Sequence, residues 1–463
     1  MNFDLIVIGS GPGGYVGAIR ASQLGMKTAV VERAELGGIC LNWGCIPTKS
    51  LLKSGQVFDY AKNAAKYGVA INGEIKPDLG AMVTRSRNVA EKMSKGIQFL
   101  LKKNKIEHIS GFGKLISNKE VEVTNNAGEK SVISAKHIII ATGARSRELP
   151  NLPIDGKKII GYRKAMTLDK QPESMLVVGS GAIGSEFAFF YNTIGTKVTL
   201  VEAMPNIVPL EDEEVSKQLG RSFKKAKINL MLDSVVESVD TSGEKCIVKI
   251  NTKKGEKTVE ADVVLSAVGI TANIENIGLE DLGVETEKGK IKVNEFYQTN
   301  VPGIYAIGDV IATQALAHVA SAEAITCVEK IAGENPKPID YTNIPACTYT
   351  TPELASVGLT EKAAKESGYE IKVGKFPFSA SGKASAAGIN DGFVKLVFDA
   401  KHGELLGAHM LGANVTEMIG EIVVAKTLET TGKEILKSIH PHPTMSEAIM
   451  EAAAAAYDEV IHI

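Results

Sequence analysis

Residues 4–33 read DLIVIGSGPGGYVGAIRASQLGMKTAVVER: an apolar run of strand length, a break at Gly9, Gly11 and Gly14, a helical pattern, and a second strand ending on Glu32. This is a βαβ unit carrying a dinucleotide fingerprint. The first glycine makes the tight turn, the second lets the backbone approach a pyrophosphate, and the third allows the helix to pack on the strand. The phosphates then rest on the helix N-terminus, where free N–H groups and the helix dipole favour anions. Glu32 can accept hydrogen bonds from both ribose hydroxyls of an adenosine and would repel a 2′-phosphate.

The same design recurs in MLVVGSGAIGSEFAFFYNTIGTKVTLVEA, residues 175–203, with Gly179, Gly181, Gly184 and a terminal Glu202. Two bound dinucleotides are therefore implied. Ala203, Met204, Pro205 and Asn206 follow Glu202 with no arginine to pair a 2′-phosphate, so the second site is expected to prefer NAD over NADP.

At 463 residues the chain exceeds a single ordinary core, and roughly 100–200 residues per domain suggests about three domains. Apolar residues at 44% and charged residues at 23% are the balance of a folded globular protein. A net charge of -2 supplies no field that would recruit nucleic acid or an anionic membrane. No apolar stretch of about 18 residues occurs, so no membrane span is expected. Met1–Asp4 leads straight into a strand without a basic leader, so the expectation is a complete, cytoplasmic chain.

Further strands are expected at Val121–Thr124 and at His137–Ala141, the latter closed by Ala141-Thr142-Gly143, and SAVGI, residues 266–270, ends another. TNVPGIYAIGD, residues 299–309, reads as a strand returning to the first nucleotide site, which makes the first domain discontinuous. From Ile344 the character changes. TYTTPELASVGLT, FVKLVFDA and LLGAHMLG are strand-like and EMIGEIVVAKTLE is helical, which gives a separate α+β domain.

Five cysteines, at 40, 45, 246, 327 and 347, are an odd count without an export signal, which argues against a structural disulfide framework. Only Cys40 and Cys45 are close in sequence, and no second pair completes a zinc site, so no metal is expected and a redox role leads. In GGICLNWGCIPTKSLLKS, residues 37–54, Cys45 stands where a helix begins and its dipole would stabilise a thiolate. The pair follows the first fingerprint. A flavin there, beside a disulfide, with a nicotinamide brought by the second fingerprint, makes an electron relay.

GGIC followed by LNWGCIPTK resembles the active-site segment of the flavin-dependent pyridine nucleotide–disulfide oxidoreductases, and the paired fingerprints, Ala141-Thr142-Gly143, TNVPGIYAIGD and HPHPT occur in that family's order. The resemblance implies an α/β protein of two Rossmann-like domains, for FAD and NAD, with a C-terminal α+β dimerisation domain. The expected boundaries are 1–147 for FAD, 148–272 for NAD, 273–343 completing the FAD site and 344–463 for dimerisation. It makes Cys45 the thiol that faces the flavin and Cys40 the one that exchanges with substrate. It places Asp309 on the ribityl chain, Lys49 at the reactive edge of the flavin ring and paired with Glu186, and Gly113, Thr142, Gly143 and Ala317 in contact with FAD. Val236 and Gly269 would line the NAD site with Glu202.

CLN before the second cysteine, Glu202 and HPHPTMSEA most resemble the members that oxidise protein-bound dihydrolipoyl groups. Such oxidation needs a proton acceptor, because thiolate is the nucleophile. His442, between two prolines, is the expected base, with Glu447 fixing its tautomer and His440 a neighbour. The resemblance further implies a homodimer in which each active site borrows His442 from the other subunit, and lipoyl domains of 2-oxo acid dehydrogenase acyltransferases or a glycine cleavage carrier protein as partners. Relatives that reduce glutathione, trypanothione or mercuric ion fit less well. Glutathione-type enzymes prefer NADP, which Glu202 disfavours, and mercuric reductases end in a cysteine pair where this chain ends in IHI. A noncatalytic assembly protein has no use for the cysteines with His442 and Glu447, and an oxygen-reducing NADH oxidase needs no such thiol pair.

Overall fold

A computed structural model describes residues 1–463. The chain forms two compact units, one of residues 1–51, 78–147 and 269–339, the other of residues 52–77, 148–268 and 340–463. No helix is long and apolar enough to cross a membrane.

The first unit begins with β1 (Asn2–Ile8), α1 (Pro12–Gln23), β2 (Thr28–Glu32), α2 (Gly38–Asn42) and the start of α3 (Cys45–Lys62). It continues with α4 (Leu79–Lys103), β3 (Glu107–Ser110), β4 (Phe112–Leu115), β5 (Glu120–Thr124) and β6 (Lys130–Ile140). The sheet runs β3-β2-β1-β6, all parallel. Parallel strands covered on both faces need continuous apolar runs, and every residue of β2 is buried. The strand expected from His137 starts at Lys130 because its polar first half pairs antiparallel with β5, where one face meets solvent and the apolar signal is diluted. Its last residues, Ile138–Ile140, pair parallel with Ile304–Ala306, so the returning strand forms as expected.

Behind that strand the helix Ala317–Ile331 packs on α1, and two glycines outside the fingerprint allow it. A Cβ on Gly13 would stand 3.1 Å from the Ala320 carbonyl, and one on Gly17 3.3 Å from the Ala324 Cβ. An Arg20–Glu329 ion pair at 2.6 Å ties the same two helices.

In the second unit a parallel sheet orders Asn229–Met231, Lys197–Val201, Ser174–Val178, Val263–Ser266 and Ile159–Ile160. The C-terminal sheet is antiparallel, in the order Ala346–Thr348, Glu353–Gly358, Leu405–Gly412, Phe393–Asp399 and Ile371–Pro377, with the helices Val415–Thr427 and Glu447–Ala456 beside it. Two of its three inner strands, Phe393–Asp399 and Leu405–Gly412, are buried at every position, polar residues included. Lys395 is 2% exposed there, and its ammonium reaches Asp212 at 3.1 Å, Glu361 at 2.8 Å and Glu214 at 3.8 Å. Asp212 also caps the helix Glu213–Lys225 by accepting the Glu214 N–H at 3.0 Å.

Candidate active site

The two fingerprints fold as near copies. Gly9 and Gly179 have φ of 103° and 95°, and a Cβ on either would lie 2.3 Å from the Ala141 carbonyl or 2.5 Å from that of Ala267. Gly14 and Gly184 close the packing, since a Cβ there would meet the carbonyls of Gly9 and Gly179 at 2.0 and 1.9 Å. Gly11 and Gly181 differ from both. Each is the N-cap of its helix with φ -61° and ψ -178°, and a Cβ on either meets nothing within 4 Å. Open space before a helix N-terminus of backbone N–H groups is what a pyrophosphate requires.

The terminal acids repeat the match. Glu32 accepts from the Ser10 N–H at 2.8 Å, the Ser10 hydroxyl at 2.7 Å and the Ala34 N–H at 2.9 Å. Glu202 accepts from the Ser180 N–H at 2.9 Å, the Ser180 hydroxyl at 2.6 Å and the Met204 N–H at 2.9 Å. A carboxylate has about four lone-pair directions, so three are used in each and one remains, which leaves room for one ribose hydroxyl and not the two expected at Glu32. Ser10 and Ser180 were not expected from the sequence. The signal was the GSG common to both fingerprints.

Cys40 lies in α2, a short helical turn, and Cys45 opens α3 with its side chain exposed. Their side chains lie within hydrogen-bonding reach of one another. The adjoining Cys45, with burial, pushes the Cys40 thiol far above its ordinary range, and the Lys49 charge opposes this. The exposed sulfur at the N-terminus of an 18-residue helix is the better placed to carry the charge.

Elsewhere in the first unit, Thr142 donates to the Asn273 carbonyl at 2.6 Å, and Asn273 returns a bond to the Thr142 carbonyl at 3.1 Å, which fixes the turn through Gly143. Gly113 packs on aliphatic side chains, where a Cβ would lie 3.2 Å from Ile8 and 3.3 Å from Val31. Asp309 sits in the turn Gly308–Val310, and burial raises its carboxyl against the pull of Lys290, which donates to the Asp309 carbonyl. The N–H of Gly308 is held at 2.7 Å by the fully buried Glu323. Ala317 is the first residue of its helix, and Gly269 has φ 108° beside the strand Ile270–Ala272.

In the second unit Glu186 is 3% exposed and accepts the Tyr349 N–H at 3.0 Å. Val236 points its side chain into the core, and its carbonyl accepts from Asn151 at 2.7 Å, so little but its remaining backbone can face a ligand. His442 is exposed, and its Nδ1 meets Glu447 at 2.8 Å. The other Glu447 oxygen accepts the Thr444 N–H at 2.8 Å. Partial burial would raise the Glu447 carboxyl, but Thr444 and His442 together hold it below the usual carboxylate range. His440 is engaged separately by Glu421 at 2.8 Å, which raises its imidazole.

A family model described as pyridine nucleotide-disulphide oxidoreductase matches residues 3–324, and that family's dimerisation domain matches residues 344–453. The chain belongs to this family. Full-length relatives of this oxidoreductase include a dihydrolipoyl dehydrogenase of Zymomonas mobilis, 50% identical over 100% of this chain and 99% of the relative. Another, from Bacillus subtilis, is 44% identical over 99% of each. The crystal structure of LpdA from Mycobacterium tuberculosis matches with a TM-score of 0.91 and 28% identity, covering 97% of this chain and 99% of that one. FAD and NAD, the cofactors of these oxidoreductases, fit the two cradles before Gly11 and Gly181, each of which an added Cβ would invade.

Proposed function

We propose that the chain oxidises dihydrolipoyl groups on a carrier protein to lipoyl groups, with FAD and NAD+ as successive electron acceptors. It works as a homodimer in the cytoplasm, serving 2-oxo acid dehydrogenase or glycine cleavage complexes through their lipoyl-bearing components. The observation that carries this reading is full-length identity to dihydrolipoyl dehydrogenases in a chain that keeps Cys40, Cys45 and a hydrogen-bonded His442–Glu447 pair.

Glu447 holds Nδ1 of His442, which leaves Nε2 to accept a proton. A substrate thiol passes its proton to that nitrogen, and the thiolate attacks Cys40 of the Cys40–Cys45 disulfide. The bond from substrate to Cys40 forms, the bond between the cysteines breaks, and Cys45 leaves as thiolate at the N-terminus of α3. The second substrate thiol then attacks the substrate sulfur bound to Cys40, closing the lipoyl disulfide and returning Cys40 as a thiol. Two electrons have moved from substrate to the cysteine pair. FAD held before Gly11 would take the pair's two electrons, and NAD+ held before Gly181 would be the final hydride acceptor. Anaerobic stopped-flow mixing with dihydrolipoamide tests the reading. A long-wavelength thiolate-to-flavin band discharged by NAD+ and not NADP+ is expected, and an unchanged spectrum defeats the assignment. Cys45→Ser abolishes the oxidation with dimerisation intact.

A further inference from the structure

Three consecutive residues of α4 hold the dithiol segment from outside the nucleotide fingerprints. Arg85 donates to the Ser50 carbonyl at 2.9 Å and hydroxyl at 2.7 Å, and the Ser86 hydroxyl donates to the Pro47 carbonyl at 2.9 Å. Arg87 donates to the Asn42 carbonyl and lays its guanidinium on the Trp43 ring, 4.2 Å from the centroid. The Trp43 Nε1–H donates to Glu35 at 3.2 Å, and the Trp43 N–H donates to the Ile39 carbonyl at 2.7 Å. Trp43 and Gly44 are the whole connection between α2 and α3, so the link between the two cysteines is gripped at its main chain, its ring face and its ring edge. Gly44 leaves no slack, because a Cβ there would stand 3.0 Å from the Ile39 carbonyl and 3.3 Å from the Cys40 Cα.

We infer that Glu35, Trp43 and Arg87 are positioning residues that keep Cys40 within bonding reach of Cys45 after the disulfide between them has opened. The inference rests on Cys40 and Cys45 being the redox pair. A disulfide forms only when the two Cβ atoms lie about 3.5–4.5 Å apart. While the bond exists it enforces that distance itself; once it is broken, only the surrounding contacts do. The clamp therefore acts mainly on the dithiol form, removing freedom that the open loop would gain, and so raises the effective concentration of one sulfur at the other. In reoxidation from a substrate–Cys40 mixed disulfide, the Cys45 thiolate attacks the Cys40 sulfur, and the substrate sulfur leaves with the electron pair and takes a proton. That closure is the step the clamp favours. A planar, weakly hydrated guanidinium suits stacking on an indole in a way that an ammonium does not.

The test equilibrates holoenzyme in buffers of reduced and oxidised dithiothreitol, quenches with acid, and counts alkylated Cys40 and Cys45 by mass. Arg87→Ala is expected to weaken closure roughly tenfold, a rise in potential of about 30 mV. Arg87→Lys recovers part of the loss. Trp43→Phe and Glu35→Ala, both of which remove the ring-edge bond, move the potential in the same direction by less, and either one combined with Arg87→Ala gives less than the sum. Trp43 is the only tryptophan, so release of the loop also shows as greater acrylamide quenching of its fluorescence in Arg87→Ala. If Arg87→Ala does not retain flavin, the Trp43→Phe and Glu35→Ala proteins decide the matter, and wild-type potentials in both overturn the clamp. If wild-type enzyme yields no Cys40–Cys45 disulfide in any buffer, the redox pair itself is wrong and the clamp falls with it. A normal disulfide with an unmoved potential in every variant removes the clamp alone.

Discussion

Replacing Lys395 by Met removes the cation from the most buried charge cluster of the second unit. Lys395 and Asp212 are 2% and 3% exposed, and the lysine meets both Asp212 oxygens at 3.1 Å. Without it Asp212 keeps the Glu214 N–H but remains a buried anion with no cation. Breaking a buried pair from one side costs about 3–5 kcal/mol. Glu214, 46% exposed and 3.8 Å away, adds little because water screens it. Urea unfolding of the holoenzyme followed by circular dichroism should show the midpoint lower by about 1–2.5 M, taking a slope of roughly 2–3 kcal/mol per M. Lys395→Met with Asp212→Asn should recover most of this, since asparagine still caps the helix and no buried charge is left. The pH dependence has a definite sign. The Glu361 carboxyl is lowered from 4.5 to about 2 by Lys365 and then Lys395, so its contribution is complete above 4.5 and is lost as pH falls toward 2. Burial opposes the Lys395 ammonium, but its carboxylates outweigh burial and raise it above 10.5, so its contribution is complete below that pH and is lost as pH rises through the raised value. The variant should therefore show shallower losses at both limits. A single variant within about 1 kcal/mol of wild type, or a double variant no better than the single, would refute the account.

Gly14→Ala places a Cβ 2.0 Å from the Gly9 carbonyl and should lower both stability and flavin content, whereas Gly11→Ala meets no protein atom within 4 Å and should fold normally while binding FAD more weakly, as flavin absorbance and thermal unfolding will show. Ser180→Ala removes the 2.6 Å bond that orients Glu202 and should raise the KM for NAD+ by about tenfold with kcat little changed; an unchanged KM would mean that Glu202 needs no such anchor. Glu447→Gln should slow dihydrolipoamide oxidation about 10- to 100-fold, a part of the 10²–10⁴ that a positioned base supplies. NADH-driven reduction of a dye, which bypasses thiol exchange, should be unaffected, and an equal loss in both assays would exclude a role confined to His442.

Both fingerprints, the returning strand and the cysteine pair were legible because each rests on short-range rules: strand length, glycine spacing and the start of a helix. The polar first half of β6 was not, since its pairing with β5 dilutes the apolar pattern. The burial of the Val236 side chain in the core was not legible either, since Val235 beside it is equally apolar and exposed, and only the packed sheet decides which of the two is covered. Ser10 and Ser180 were passed over because their partners Glu32 and Glu202 each lie 22 residues away.

The sequence by itself determined the duplicated nucleotide fold, the order of its chemistry along the chain and the preference for NAD, since these are written within stretches of about 30 residues whose geometry is local. Tertiary structure alone decided what surrounds the reactive groups. Arg85, Ser86 and Arg87 come from a helix that starts more than 30 residues after Cys45, and nothing in their own sequence marks them as grips on the dithiol loop. Lys395 reads as an ordinary strand lysine until Asp212, 183 residues earlier, is brought beside it. Hydrogen bonds and ion pairs depend on distance in space, and only the folded chain sets that distance.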